Sequence, residues 1–171
     1  GAATYLYADG QRYWYSPVPS VASLARERAA RCARDRDALL KEIRDRLDKE
    51  RTKKGSFAKV HICPESPSDV PDEDEARLVI LDPQYPHTGK AQNSAALEQA
   101  RAILDQRSGG AREKRNTLVF LAADETRLRE LEDATCHYLA WTSIEHEKES
   151  LNLNAFQTRQ ATTNRKQADE T

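Results

Sequence analysis

Methionine is missing from this 171-residue chain, and glycine and proline are scarce, at six and seven. Scarce glycine matters because a phosphate loop needs closely spaced glycines, so that backbone N–H groups can surround the phosphates before a Lys and a Ser/Thr. The nearest approach, His87-Thr88-Gly89-Lys90-Ala91, lacks the upstream glycine and has Ala91 where a magnesium-binding hydroxyl should stand. The three cysteines, Cys32, Cys63 and Cys136, are odd in number and far apart, with no CxxC. That excludes a disulfide framework and points to free thiols in a reducing cytoplasm. No apolar run approaches the ~20 residues of a membrane-spanning helix. Net charge is only −1, so no global basic field draws the chain to nucleic acid. The start, Gly1-Ala2-Ala3, carries neither a basic region nor an initiating Met, and it leads us to expect no signal peptide and an excerpt of a longer protein.

What is present is charge, 32% of residues, among regularly spaced apolar side chains that make up 38%. That combination predicts long solvated helices rather than disorder. Tyr5-Leu6-Tyr7 and Arg12-Tyr13-Trp14-Tyr15 flank an Asp9-Gly10 turn signal, which predicts a β-hairpin whose rings pack on the next helix. Ser20 is the expected N-cap of one long helix reaching about residue 52, with Val21, Leu24, Ala25, Ala29, Cys32, Leu39, Leu40, Ile43 and Leu47 at helical spacing. Seven arginines lie between 26 and 46, but they alternate with acids at i,i+3 and i,i+4, as Glu42 and Arg46 do. They predict a face laced with weak ion pairs. Strands are expected over 57–63 and 76–82, separated by a loop of three prolines and six acids, with parallel and antiparallel pairing both open. A helix over 94–106 is stopped by Ser108-Gly109-Gly110, and basic residues Arg112, Lys114 and Arg115 follow. Leu118 to Ala122 is unbroken apolar sequence and predicts a central strand, buried on both faces, which Asp124 hands to a helix over 125–141 that continues towards 149. Asn154 is the expected cap of a last helix with few apolar residues beyond Phe156.

The fold class expected is therefore α/β, with a small, mostly parallel sheet of about three strands flanked by helices. The expected divisions are a hairpin over 1–19, a charged helix over 20–54, an α/β core over 55–150 and a helical extension over 151–171. Metal chemistry is poorly supported. His61 and Cys63 share a strand face but have no second pair at zinc spacing, and the adjacent Cys136 and His137 diverge on a helix. The acids Asp69, Asp72, Glu73, Asp74 and Glu75 have neither the glycine nor the spacing of a calcium loop. No G-x-S-x-G elbow or Ser/His/Asp set is present.

One ordered set of short motifs does carry a resemblance. It comprises Tyr5-Leu6-Tyr7 with Arg12-Tyr13-Trp14-Tyr15, Leu24-Ala25-Arg26-Glu27-Arg28-Ala29, and Asp69-Val70-Pro71-Asp72 ahead of Ala76-Arg77-Leu78-Val79-Ile80-Leu81. Arg115-Asn116-Thr117-Leu118-Val119-Phe120-Leu121-Ala122-Ala123-Asp124, Tyr138-Leu139-Ala140-Trp141 and Leu151-Asn152-Leu153 complete it. In that order they resemble an internal region of the large prokaryotic AAA-type ATPases of domain-of-unknown-function family 499, over nearly the whole chain. The resemblance implies a parent ATPase encoded near DNA methyltransferases and helicases, with an anti-phage role and a phosphate loop N-terminal to this region. ATP and magnesium would belong to the parent alone, and no catalytic residue of the family transfers to these positions.

Three functions follow as expectations. The first is a non-catalytic accessory domain that couples the ATPase to its remainder, to a methyltransferase or helicase partner, or to DNA, in the cytoplasm and off the membrane. The second is a winged DNA-binding module that uses the aromatic hairpin and the arginine-rich helix. The third is a small enzyme with a site at the strand C-terminal ends, around Asp69, Asp82 and Asp124. The positions that could carry contact are Asp69, Asp72, Asp82, Arg115, Asn116, Asp124, Tyr13 and Trp14.

Overall fold

The computed structural model describes residues 5–9, 12–16, 20–89 and 93–170; within the hairpin, side chains are described at Leu6 and Tyr13 only. The expected turn at Gly10 and break at Pro17 and Pro19 lie outside the described residues, as does the side chain of Trp14. The chain forms two compact units, residues 1–39 with 132–171, and residues 40–131. Neither boundary coincides with those of the four segments expected from sequence. Both fall inside helices, where composition does not change.

In the first unit, β1 (Tyr5–Asp9) pairs antiparallel with β2 (Arg12–Ser16), with Tyr7 opposite Trp14. Leu6 and Tyr13 point to the same face of this ribbon and are 58% and 68% exposed. The expectation that the hairpin rings are packed therefore fails at Tyr13.

Helix α1 (Val21–Cys32) starts where Ser20 Oγ accepts the Ser23 amide at 3.1 Å. Val21, Ala25 and Ala29 form its buried stripe. The single helix expected to residue 52 is divided: α1 ends at Cys32 and α2 spans Arg36–Lys49. Asp35 is the physical reason. Its carboxylate accepts the Ala38 amide at 3.1 Å, which supplies an N-cap in mid-run. Seven residues, two helical turns, separate Cys32 from Leu39, so the apolar period passes over the break without a visible fault.

The second unit holds a three-stranded parallel sheet of β3 (Lys59–Ile62), β4 (Arg77–Ile80) and a strand at Leu118–Leu121, in the order of the chain. Lys59 lies opposite Arg77, and Arg77 opposite Leu118. The 63–76 connection crosses over with only a 3-10 turn at Pro67–Asp69, which resolves the open pairing as parallel. Helix α3 (Ala95–Asp105) follows β4, capped by Ser94. A small ribbon, β5 (Gln106–Arg107) with β6 (Gly110–Ala111), turns at Gly109 with φ +82°. The sequence reading saw only a helix stop here. The Leu118–Leu121 strand is β7, and it is an edge, not the centre. Leu118, Phe120 and Ala122 pack on a core of Val70, Val79, Leu81, Ala96 and Ile103. Val119 and Leu121, on the other face, are 48% and 53% exposed. The unbroken apolar run thus buries one face only, the one that packs on this core.

Helix α4 (Glu125–His146) begins at Asp124, whose Oδ1 accepts the amides of Thr126 at 3.0 Å and Arg127 at 3.2 Å. Helix α5 (Ala155–Asp169) opens with a reciprocal box in which Asn154 and Gln157 exchange side-chain and backbone hydrogen bonds. The core of the first unit gathers Val21, Ala25, Ile144 and Ala161, with Leu24, Trp141, Leu151 and Leu153 packed around it. α5 joins this core through the small Ala161, while Phe156 remains half exposed. Among the described residues no helix is long and apolar enough to cross a membrane.

Candidate functional site

The C-terminal ends of the parallel strands are where an open α/β sheet offers a ligand its crevice. Beyond β3, Cys63 turns the chain at φ +47°, and its amide donates to the Ile80 carbonyl at 2.8 Å. Beyond β4, Asp82 is buried. Its carboxylate accepts Arg44 Nε at 2.6 Å, Arg44 Nη2 at 3.1 Å and the Gln84 amide at 2.9 Å. The 84–89 loop then returns to the sheet: His87 N–H donates to the Ala123 carbonyl at 2.8 Å, and Glu125 N–H donates to the His87 carbonyl at 3.0 Å. His87 Nδ1 lies 2.9 Å from Ser94 Oγ, the buried oxygen that also caps α3.

Asp82 and Asp124 thus do lie at strand ends, as expected, but each is engaged. Asp82 anchors α2 through a two-toothed ion pair, and Asp124 caps α4. Burial, reinforced by the carboxylate of Asp82, pushes the Cys63 thiol up to about 11, so it stays protonated and weakly nucleophilic at neutral pH.

Asp69 does not join them. It sits in the 3-10 turn between β3 and β4, where its carboxylate accepts the Ser66 amide at 2.8 Å. Asp72 is occupied as well. It accepts the amides of Glu113 at 2.8 Å and Lys114 at 2.9 Å, and those hydrogen bonds, with Arg112 and Arg107 nearby, hold its carboxyl below the usual range. Arg115 pairs with Asp105, and Asn116 is exposed in the 3-10 turn ahead of β7. Tyr13 belongs to the first unit.

The polar group that the sequence reading missed is Arg112. Its guanidinium is completely buried and donates to the carbonyls of Ile103, Pro71, Pro67, Val70 and Gln106 at 2.8 to 3.4 Å. One side chain therefore ties off the C-terminal end of α3 and the proline-rich acidic loop together. Nothing in composition distinguishes it from its exposed neighbours Glu113 and Arg115. Burial draws its guanidinium down from the usual value, opposed by Asp72. Close by, buried His61 lies 3.4 Å from Arg77 Nη1, and Arg77 pairs with Glu73. Burial first, then Lys59, Arg77 and Arg112, pull the His61 imidazole below its usual range.

The arginine-rich helices are laced as expected. Arg46 pairs with Glu42 at 2.9 Å, Arg31 with Glu27 at 3.2 Å, and Arg28 bridges to Ser143 and Glu147. The three cysteines are free thiols, and among the described residues no three His, Cys, Asp or Glu side chains converge as a metal site. Compared with protein-family models, with curated proteins and with solved structures, the chain matches none.

Proposed function

We propose that this chain is a non-catalytic interaction domain of a larger, cytoplasmic AAA-type P-loop ATPase of a DNA-modification or phage-defence system. One observation carries the reading. The strand-end groups that an enzyme would leave available are consumed by the fold, while two apolar side chains on one face of an edge strand are left in water. Asp82 is spent on Arg44 and Asp124 on the amides of α4. Val119 and Leu121 stand two residues apart, each about half exposed. Such a pair is suited to burial against another protein surface, and the occupant we assign is the P-loop region of the parent ATPase.

The test has two arms. Titration of the chain with MgATP in a calorimeter should give no saturable heat; tight binding, or turnover, would overturn the reading. The P-loop region of the parent reading frame, produced separately, should bind the chain, and the V119K/L121K double variant should weaken that binding at least tenfold while the variant stays folded. Equal affinity would remove β7 from the interface.

The winged DNA-binding reading has one specific support, the exposed Leu6 and Tyr13 on a single hairpin face. Against it, Arg28, Arg31, Arg36, Arg44 and Arg46 already face carboxylates. Duplex DNA binding that weakens steeply with salt would favour this alternative over the first.

A further inference from the structure

We propose that Cys32 and Cys136 form a reversible intramolecular disulfide that staples together the two chain segments of the first unit. The inference goes beyond the interaction reading and does not depend on it. Its geometry comes from contacts on either side of the thiols. Four residues before Cys32, Arg28 reaches Ser143 Oγ at 2.8 Å; four residues after it, Arg36 reaches Glu132 at 3.5 Å. Glu132 lies four residues before Cys136, and Ser143 seven residues after it. Both thiols lie between these contacts, Cys32 between Arg28 and Arg36 and Cys136 between Glu132 and Ser143, so the two segments pass each other in opposite directions with the thiols on the same stretch of contact. Consistent with that placement, burial first and then the neighbouring Cys32 thiol push the Cys136 thiol up to about 12.

The two sulfurs have unequal access, which assigns their roles. Cys32 lines an open groove of about 500 Å³ together with Leu24, Arg28, Leu139 and Ser143, whereas Cys136 is 4% exposed. Cys32 is the sulfur that a hydroperoxide can reach. Its thiolate attacks a peroxide oxygen, the O–O bond breaks, and a sulfenic acid forms on Cys32 as the leaving oxygen takes up a proton to become water or alcohol. The Cys136 thiol then loses its proton, its sulfur attacks the Cys32 sulfur, and the hydroxyl departs as a second water. Two thiols and one peroxide yield one disulfide, with two electrons passed from sulfur to oxygen. The third cysteine, Cys63, belongs to the other unit and has no role.

The consequence is topological. The first unit is built from residues 1–39 and 132–171, and the staple joins those segments directly, closing a loop that contains the whole second unit. Closing so long a loop restricts the unfolded chain strongly. A transient, redox-sensing bond of this kind suits a reducing compartment that meets oxidant.

The test is to treat the full chain with a small excess of hydrogen peroxide and map its peptides without reduction. The expected product is a Cys32–Cys136 cross-linked peptide, two hydrogens lighter than its parts, released by dithiothreitol, with Cys63 still open to alkylation. Cys63→Ser should give the same product. Cys136→Ser should halt at a sulfenic acid on Cys32 that dimedone traps. The oxidised chain should unfold at higher urea concentration than the reduced chain. Cross-links through Cys63 or between chains, sulfinic acid on Cys32 without a cross-link in the unmodified sequence, or three thiols untouched would each overturn the proposal.

Discussion

Arg112 concentrates more structure than any other side chain described. Five carbonyls accept from one guanidinium, and removing it would take a donor from each, with the Pro67 carbonyl keeping the Val70 amide as a partner. A buried acceptor without a donor costs about 1–3 kcal/mol, and several are at stake here. Arg112→Ala should therefore destabilise the fold by about 3 kcal/mol or more, read as a shift in the urea unfolding midpoint. Arg112→Lys should recover little, since an ammonium cannot serve carbonyls spread over the plane of a guanidinium.

His61 gives a second residue-scale prediction, in pH. Its folded pKa lies below that of the unfolded chain because burial and the cations Lys59, Arg77 and Arg112 disfavour the imidazolium. The unfolded state consequently takes up a proton that the folded state refuses. The stabilising effect is complete above about pH 6.5, the unfolded value, and is lost as pH falls towards the folded pKa. Urea midpoints measured between pH 7.5 and 5.5 should decline, and His61→Gln should flatten that decline. Asp72 acts in a separate and more acidic window. Its lowered pKa contributes stability above the unfolded value of 3.8, lost as pH falls through the folded value.

At the scale of elements, the break between α1 and α2 rests on Asp35, and the contrast between the faces of the sheet rests on β7. Asp35→Ala should cost about 1 kcal/mol through the lost cap, and Asp35→Ser should restore most of it. In the sheet, Val79→Ala removes two methyl groups from a site with no exposure and should cost about 2 kcal/mol. Val119→Thr should stay within about 0.5 kcal/mol, because its side chain is half in water already. Thermal or urea unfolding of the two variants side by side checks the assignment of faces. An apolar run of this length is expected to be buried on both sides. Which strand would occupy the middle was not legible in 118–122, since edge and centre differ only in whether another strand lies alongside.

For the whole molecule, the first unit closes through α5. Ala161 is fully buried against Val21, Ala25 and Ile144, so a larger or charged side chain has no room there. Ala161→Asp should raise amide hydrogen exchange in α1 and in the C-terminal half of α4 while leaving β3 and β4 protected; uniform loss of protection would contradict the division into units. Much of the element order was legible. Ser20, Asp124 and Asn154 were each read as caps, and each accepts the backbone hydrogen bond a cap should. The strand-end site was half legible. Asp82 and Asp124 were placed correctly, whereas Asp69 was not, because a twelve-residue loop of prolines and acids does not declare where its carboxylates will go.

The sequence by itself determined the local elements: capped helix starts, three short apolar strands and ion pairs at i,i+4 such as Arg31 with Glu27 and Arg46 with Glu42. Those features follow from spacings of two, three and four residues, which propensity and hydrogen bonding at close range enforce. The tertiary structure alone decided that β4 rather than β7 is central, that Arg112 is buried among carbonyls, that Asp82 meets Arg44, and that Cys32 neighbours Cys136. Each depends on residues 38 to 104 positions apart being packed together, and the free energy of such packing leaves no period in the chain to read.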